Sequence, residues 1–207
     1  MKRFFNPETG VWRLLGMLAD LLLLSMLWVL CSAPLLTLGA ATAALYDALV
    51  RNFHRDENDY LLRFFQVFKR DLLCGMLPTL FWSLLLYSLV RGYLYIAASL
   101  SGSLALLFGA ALFVLLLIPI GAACWVFPVL SRFQLGFKAL CVNSARLAVA
   151  HLPRTLSLAA ASCAAVYLTL RLALLPLFVL PALLLLFWSW LMEPVFLHYE
   201  SQSHPEP

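Results

Sequence analysis

Five residues carry most of the polar chemistry in the apolar body of this chain: Asp20, Thr37, Thr42, Tyr46 and Asp47. Asp20 is the most telling. Leu18, Leu21 and Leu22 surround it, and an acid at the middle of a membrane helix costs about 2.5–3.5 kcal/mol by insertion scales. An acid so placed faces the inside of a helix bundle and takes a partner. Arg13, seven residues earlier, shares its helical face. Two roles fit: an anchor between helices, or a group that handles a proton or a solute. Asp47 precedes Arg51 by four residues, the spacing of a local helical ion pair. Thr37, Thr42 and Tyr46 add hydroxyls to the same stretch. These either hydrogen-bond between helices or line a solute path.

Other chemistry is sparse. The cysteines are Cys31, Cys74, Cys124, Cys141 and Cys163, an odd number with no C-x-x-C pair. Most lie in apolar runs, where a thiol behaves as a small hydrophobe. His54, His151, His198 and His204 lack zinc-site spacing. Neither a G-x-S-x-G elbow nor a phosphate-binding glycine loop is present. No enzymatic activity, metal or cofactor is expected. Arg91 and Arg171 read as snorkelling residues at the outer face, and Glu193 as a solvated residue closing the last span.

The elements that must position these residues follow from composition. Of 207 residues, 64% are hydrophobic and 12% charged. Soluble domains carry about 25% charged residues. This chain has half that, so the expectation is a single integral membrane domain over 1–207. The charge-free runs are Leu21–Tyr46, Leu72–Val90, Gly92–Ser131, Leu156–Leu170 and Leu172–Met192. A crossing helix needs about 20 mostly apolar residues. Pro34 divides the first run, because the residue before a proline leaves the helical region. The expected fold is all-α, a polytopic transmembrane bundle of about six spans: 12–33, 35–50, 72–91, 104–130, 155–171 and 173–192. A five-span alternative makes 35–50 a re-entrant or interfacial helix. Six spans put twelve of the fourteen basic residues on the cytoplasmic side, which favours both termini inside. Cys31-Ser32-Ala33 resembles a signal cleavage site, but the long apolar run and Pro34 favour a retained anchor. The net charge of +4 suits loops that face anionic lipid. It gives no reason to expect nucleic acid.

Two cytoplasmic loops, 51–71 and 131–154, are expected to hold amphipathic interfacial helices, and 193–207 a polar tail. Leu61, Phe64, Phe65, Phe68 and Leu72 follow helical spacing opposite Arg63, Gln66, Lys69 and Arg70. Phe64, Phe65, Phe68 and Lys69 thus form a candidate docking helix, for the bilayer or for a protein partner. Arg63-Phe64, Phe68 and Lys69 recur at equal spacing as Arg132-Phe133, Phe137 and Lys138. Gly39-Ala40-Ala41 recurs as Gly121-Ala122-Ala123, and Leu77-Pro78 as Leu152-Pro153. These matches suggest two related helix–loop–helix units.

The first half then shows a pattern of its own: Phe4-Phe5-Asn6, Ala19-Asp20-Leu21, Ser32-Ala33-Pro34-Leu35-Leu36-Thr37-Leu38-Gly39-Ala40, Thr42-Ala43-Ala44-Leu45-Tyr46 and Phe64-Phe65-Gln66-Val67-Phe68-Lys69. Over about residues 1–90 this resembles the YesL-like family of bacterial membrane proteins, whose function is unknown. The resemblance implies a small multi-pass protein of the cell membrane, often encoded beside carbohydrate-uptake ABC systems, and no transferable catalytic site. Two functions are therefore expected. One is an accessory component in contact with ABC permease or ATPase subunits. The other is a small-solute transporter or channel in its own right.

Overall fold

A computed structural model describes residues 10–55, 60–99, 103–133, 135–172 and 178–203. Among them the chain is all-α: α1 (Gly10–Cys31), a 3-10 turn (Leu35–Thr37), α2 (Leu38–Arg55), α3 (Tyr60–Ser99), α4 (Ser103–Arg132), α5 (Phe137–Ala150), α6 (Leu152–Arg171) and α7 (Leu180–Ser203). α1 stops where Pro34 demands it. The Ser32 amide bonds back to the Trp28 carbonyl at 2.8 Å, and the 3-10 turn carries the chain into α2.

α2 is the axis of the bundle. It packs against α1, α3, α4 and α7. From Gly39 to Val50 every residue except Asp47 is buried. Its small residues make this possible, since Gly39, Ala40, Ala41, Ala43 and Ala44 let neighbouring backbones approach closely. An interfacial helix would leave one face outward, and α2 leaves none.

Two stretches among the described residues are long and apolar enough to cross a membrane, Tyr60–Ile96 and Leu180–Leu197; Gly16–Cys31 is apolar but shorter. That is fewer than the six expected, and in α2 and α6 the reason is local. α2 carries Asp47, Arg51 and Arg55 within 18 residues. α6 opens with Arg154, closes with Arg171 and holds several hydroxyls between them. In α4 the side chains of 113–118 lie outside the described set.

Three boundaries differ from the sequence expectation. The loop expected over 51–71 is mostly helix: α2 runs to Arg55 and α3 starts at Tyr60. Residues 61–72 are the first turns of α3, because the apolar stripe runs into the following apolar segment with no breaker until Gly75. α4 reaches Arg132 and α6 begins at Leu152, so the second loop holds one discrete helix, α5. The tail expected from 193 is helical through Ser203. Met192, Val195 and Phe196 are buried there and bind these turns to the core.

The two suspected units share one packing device. A Cβ on Gly39 would fall 2.1 Å from Thr79 Oγ1 and 2.5 Å from Phe127, and one on Gly121 would fall 2.2 Å from the Thr155 methyl. Each glycine of a GAA run thus meets a threonine just beyond a Leu-Pro pair. The units part at the proline. α3 runs unbroken through Pro78, whereas the second copy breaks at His151, with Pro153 in the first turn of α6. Proline is well tolerated in a first turn because the missing amide is unpaired there anyway.

We expect Gly39→Ala to lower stability by about 1–3 kcal/mol, the usual result of overpacking, as read by thermal melting in detergent. Gly92→Ala, where nothing lies within 4 Å, should be neutral or stabilising by up to about 1 kcal/mol. Equal effects from the two would disprove the close crossing.

Candidate functional site

Two groups of polar side chains surround the C-terminal half of α2. Near the end of α2, Asn52 Nδ2 donates to Asp20 Oδ2 at 3.2 Å, and Tyr60 Oη donates to Asp20 Oδ1 at 2.6 Å. Asp20 therefore ties α1 to α2 and α3. Arg13, its expected partner, has its side chain outside the described residues. Two hydroxyl or amide donors suit a carboxylate, which has only acceptor sites.

About one turn back along α2 lies a charged layer. Arg51 Nε donates to Asp47 Oδ2 at 2.9 Å. Arg70 of α3 forks onto the buried Asp71 at 2.7 and 2.8 Å, and its Nη2 also donates to the Ser131 carbonyl of α4 at 2.9 Å. Arg70 lies within electrostatic reach of Asp47 and Arg51. Arg132 of α4 pairs with Glu193 of α7, both side chains being nearly buried, and its guanidinium stacks 5.5 Å over the Phe196 ring. Tyr46 lies in the fields of Glu193, Arg132 and Asp47. Its buried hydroxyl and Glu193 Oε2 have no hydrogen-bond partner among the described residues. Glu193 is thus a core residue and not the solvated surface acid its position suggested.

The five candidate residues do not gather in one place. Thr37 Oγ1 donates to the Cys31 and Pro34 carbonyls at 2.6 and 2.7 Å, closing the α1–α2 turn. Thr42 Oγ1 donates to the Leu38 carbonyl and accepts from Trp28 Nε1 at 3.2 Å. Thr37 and Asn52 are fifteen residues apart in sequence, or about 22 Å at a helical rise of about 1.5 Å per residue. Only Tyr46 and Asp47 share a layer. None of the five lines the cavity of about 380 Å³ between α4, α5 and α7 or the apolar groove between α6 and α7.

The aromatic docking face turns mostly inward. Phe64 is fully buried and stacks on Phe68, ring centroids 6.3 Å apart, while Phe65 and Lys69 stay outside. No set of three His, Cys, Asp or Glu residues that could hold a metal occurs among the described residues. Cys141 on α5 is a free thiol that burial pushes above its ordinary pKa. It therefore stays protonated and a poor nucleophile near neutrality.

Residues 21–93 match a family described as "Protein of unknown function, DUF624". The match covers roughly a third of the chain, from the core-facing turns of α1 through α2 and most of α3. It includes Asn52, Tyr60 and the Asp47, Arg51, Arg70 and Asp71 part of the charged layer. Arg132, Glu193 and Asp20 lie outside it. That description gives no activity and no YesL-like name. No curated protein and no solved structure matches the chain.

Sequence reasoning missed the partners of Asp20 and the Arg132–Glu193 pair. The one available signal was that both Arg132 and Glu193 border long apolar runs. Removing one member of a buried pair leaves an uncompensated charge. Glu193→Ala should therefore lower stability by about 3–5 kcal/mol, and Arg132→Met with Glu193→Leu should recover most of that loss. Thermal melting across the double-mutant cycle checks this. Additive losses would mean the two side chains act independently.

Proposed function

We propose that this is a six-span integral protein of the cell membrane, with both termini cytoplasmic, serving as a non-catalytic accessory component of a carbohydrate-uptake ABC system. The observation that carries the accessory reading is the use made of the intramembrane polar groups. Asp20, Thr37, Thr42 and Asp47 each hydrogen-bond to neighbouring chain groups. A solute path needs such groups free and lining a cavity. Groups engaged in holding helices together suit a protein that presents a surface.

Membrane insertion is supported by the outward faces. Leu73, Leu77, Leu84 and Tyr95 of α3 are exposed, Leu73 at 76% and Tyr95 at 75%, and Leu168, Leu170, Leu183 and Trp190 continue apolar exposure onto α6 and α7. Soluble monomers rarely show contiguous apolar patches above a few hundred Å². The basic residues Lys69, Arg70, Arg132, Lys138, Arg146 and Arg154 of the two connecting segments support a cytoplasmic setting for the end that holds the charged layer by the positive-inside rule. Phe65 and Lys69 then remain available there to a permease or ATPase subunit. The link to carbohydrate uptake rests on the YesL-like resemblance of the first half.

Tagged protein extracted in mild detergent at native expression should co-purify with permease or ATPase subunits, and Phe65→Glu should reduce that recovery. Recovery of the chain alone would refute the accessory role. Asp20→Asn should leave sugar uptake unchanged when protein abundance is held equal. A change in reconstituted flux would favour transport by the chain itself.

A further inference from the structure

The cavity of about 380 Å³ at the charged end of the bundle has the size of a small-molecule site, which runs about 300–1,000 Å³. Its wall is mainly apolar. Val129 comes from α4, Phe133 from the connection to α5, Leu147 from α5 and Phe196 from α7. Two polar side chains interrupt it, Asn143 and Arg146, three residues apart on one face of α5. Neither has a hydrogen-bond or ion-pair partner among the described residues. Arg146 is exposed and Asn143 partly so. Arg132, stacked on the Phe196 wall, already has Glu193 as its counter-ion, whereas Arg146 has none described.

We propose that this cavity is a binding site for an anionic phospholipid of the cytoplasmic leaflet. Arg146 and Asn143 would take the phosphate, and Phe133, Leu147 and Phe196 the start of an acyl chain. The occupant must be amphipathic, because a cation and an amide stand at the edge of an otherwise apolar wall. An anionic headgroup suits it, because Arg146 brings a positive charge to the cavity with no described acid beside it. A lipid suits the position better than a soluble anion does. The cavity lies at the end of a bundle whose flanks are apolar, and the basic Arg146 lines it. Basic pockets between membrane helices on the cytoplasmic side hold anionic headgroups in this way. The proposal rests on the membrane insertion proposed above.

The test is native mass spectrometry of delipidated full-length protein offered equal phosphatidylglycerol and phosphatidylcholine. One phosphatidylglycerol should be retained in preference, and Arg146→Ala should cut that preference about fivefold. Ala150→Trp, which fills the cavity from its rim, should reduce retention of both lipids. Lys138→Ala, exposed and outside the cavity wall, should change neither. Equal retention of the two lipids by wild type, an unchanged preference in Arg146→Ala, or a Lys138→Ala loss as large as that of Arg146→Ala would each overturn the site. So would full competition by glycerol 1-phosphate, which would point to a free phosphate in place of a lipid. Alkaline extraction of membranes reports insertion separately. A chain that resists extraction yet shows no lipid preference disproves the site alone, and a chain that is extracted disproves the insertion on which it rests.

Discussion

A helix packed on nearly every side has little water to offer the polar groups it carries. α2 imposes that constraint here. Its glycine and alanines bring neighbouring backbones close enough for contact, and the same closeness buries Tyr46 fully and leaves Asp47, Arg51 and Asn52 only partly exposed. The neighbours must answer. α1 supplies Asp20 and α3 supplies Tyr60 at one level, while α3, α4 and α7 bring Arg70, Asp71, Arg132 and Glu193 to the next. Asn52 draws Asp20 to α2 directly, while the outer helices settle their charges among themselves around it, Arg70 with Asp71 and Arg132 with Glu193.

The charged layer fixes depth as well as contact. Hydrophobic surfaces slide past one another at modest cost, since one leucine contact replaces another. A buried ion pair does not slide. Moving α7 by one turn, about 5.4 Å, would carry Glu193 away from Arg132 and leave two buried charges apart. The same holds for Arg70 against the Ser131 carbonyl. Three cations and three anions in the layer balance, which keeps the desolvation of each from standing uncompensated. Among the described residues, the buried hydroxyl of Tyr46 and Oε2 of Glu193 have no partner in this layer.

Local features of this fold could be read from the residues; distant ones could not. Asp47 and Arg51 are one helical turn apart, and the pair forms as that spacing predicts. The end of α1 before Pro34 was legible for the same reason, a steric effect confined to adjacent residues. Asn52 and Tyr60 lie 32 and 40 positions from Asp20, and Glu193 lies 61 from Arg132. No pattern along the chain encodes which of many polar residues will meet across such gaps. The amphipathic stripe at 61–72 is helical, as its period predicts, and forms the first turns of the longer α3. Period alone cannot tell an interfacial helix from the inward face of a longer one, and Phe64 faces the core.

The break between α5 and α6 shows how a small sequence difference changes what a repeated unit can hold. In the first unit Leu77-Pro78 falls within α3, where Thr79 Oγ1 takes up the Gly75 carbonyl at 2.6 Å and the helix continues. In the second, His151 leaves the helical region at φ −120°, ψ 49°, and Pro153 starts a new helix. The Thr155 hydroxyl then bonds across the break to the Ala148 carbonyl at 2.8 Å and accepts from Trp125 Nε1 at 3.1 Å. An unbroken helix would run Asn143, Arg146 and Leu147 in line with α6, as residues 60–77 run in line with the rest of α3. Because the chain turns at His151, those residues instead close over Val129 and Phe196. The cavity therefore lies in the unit that breaks, and its polar rim comes from the helix that the break sets free.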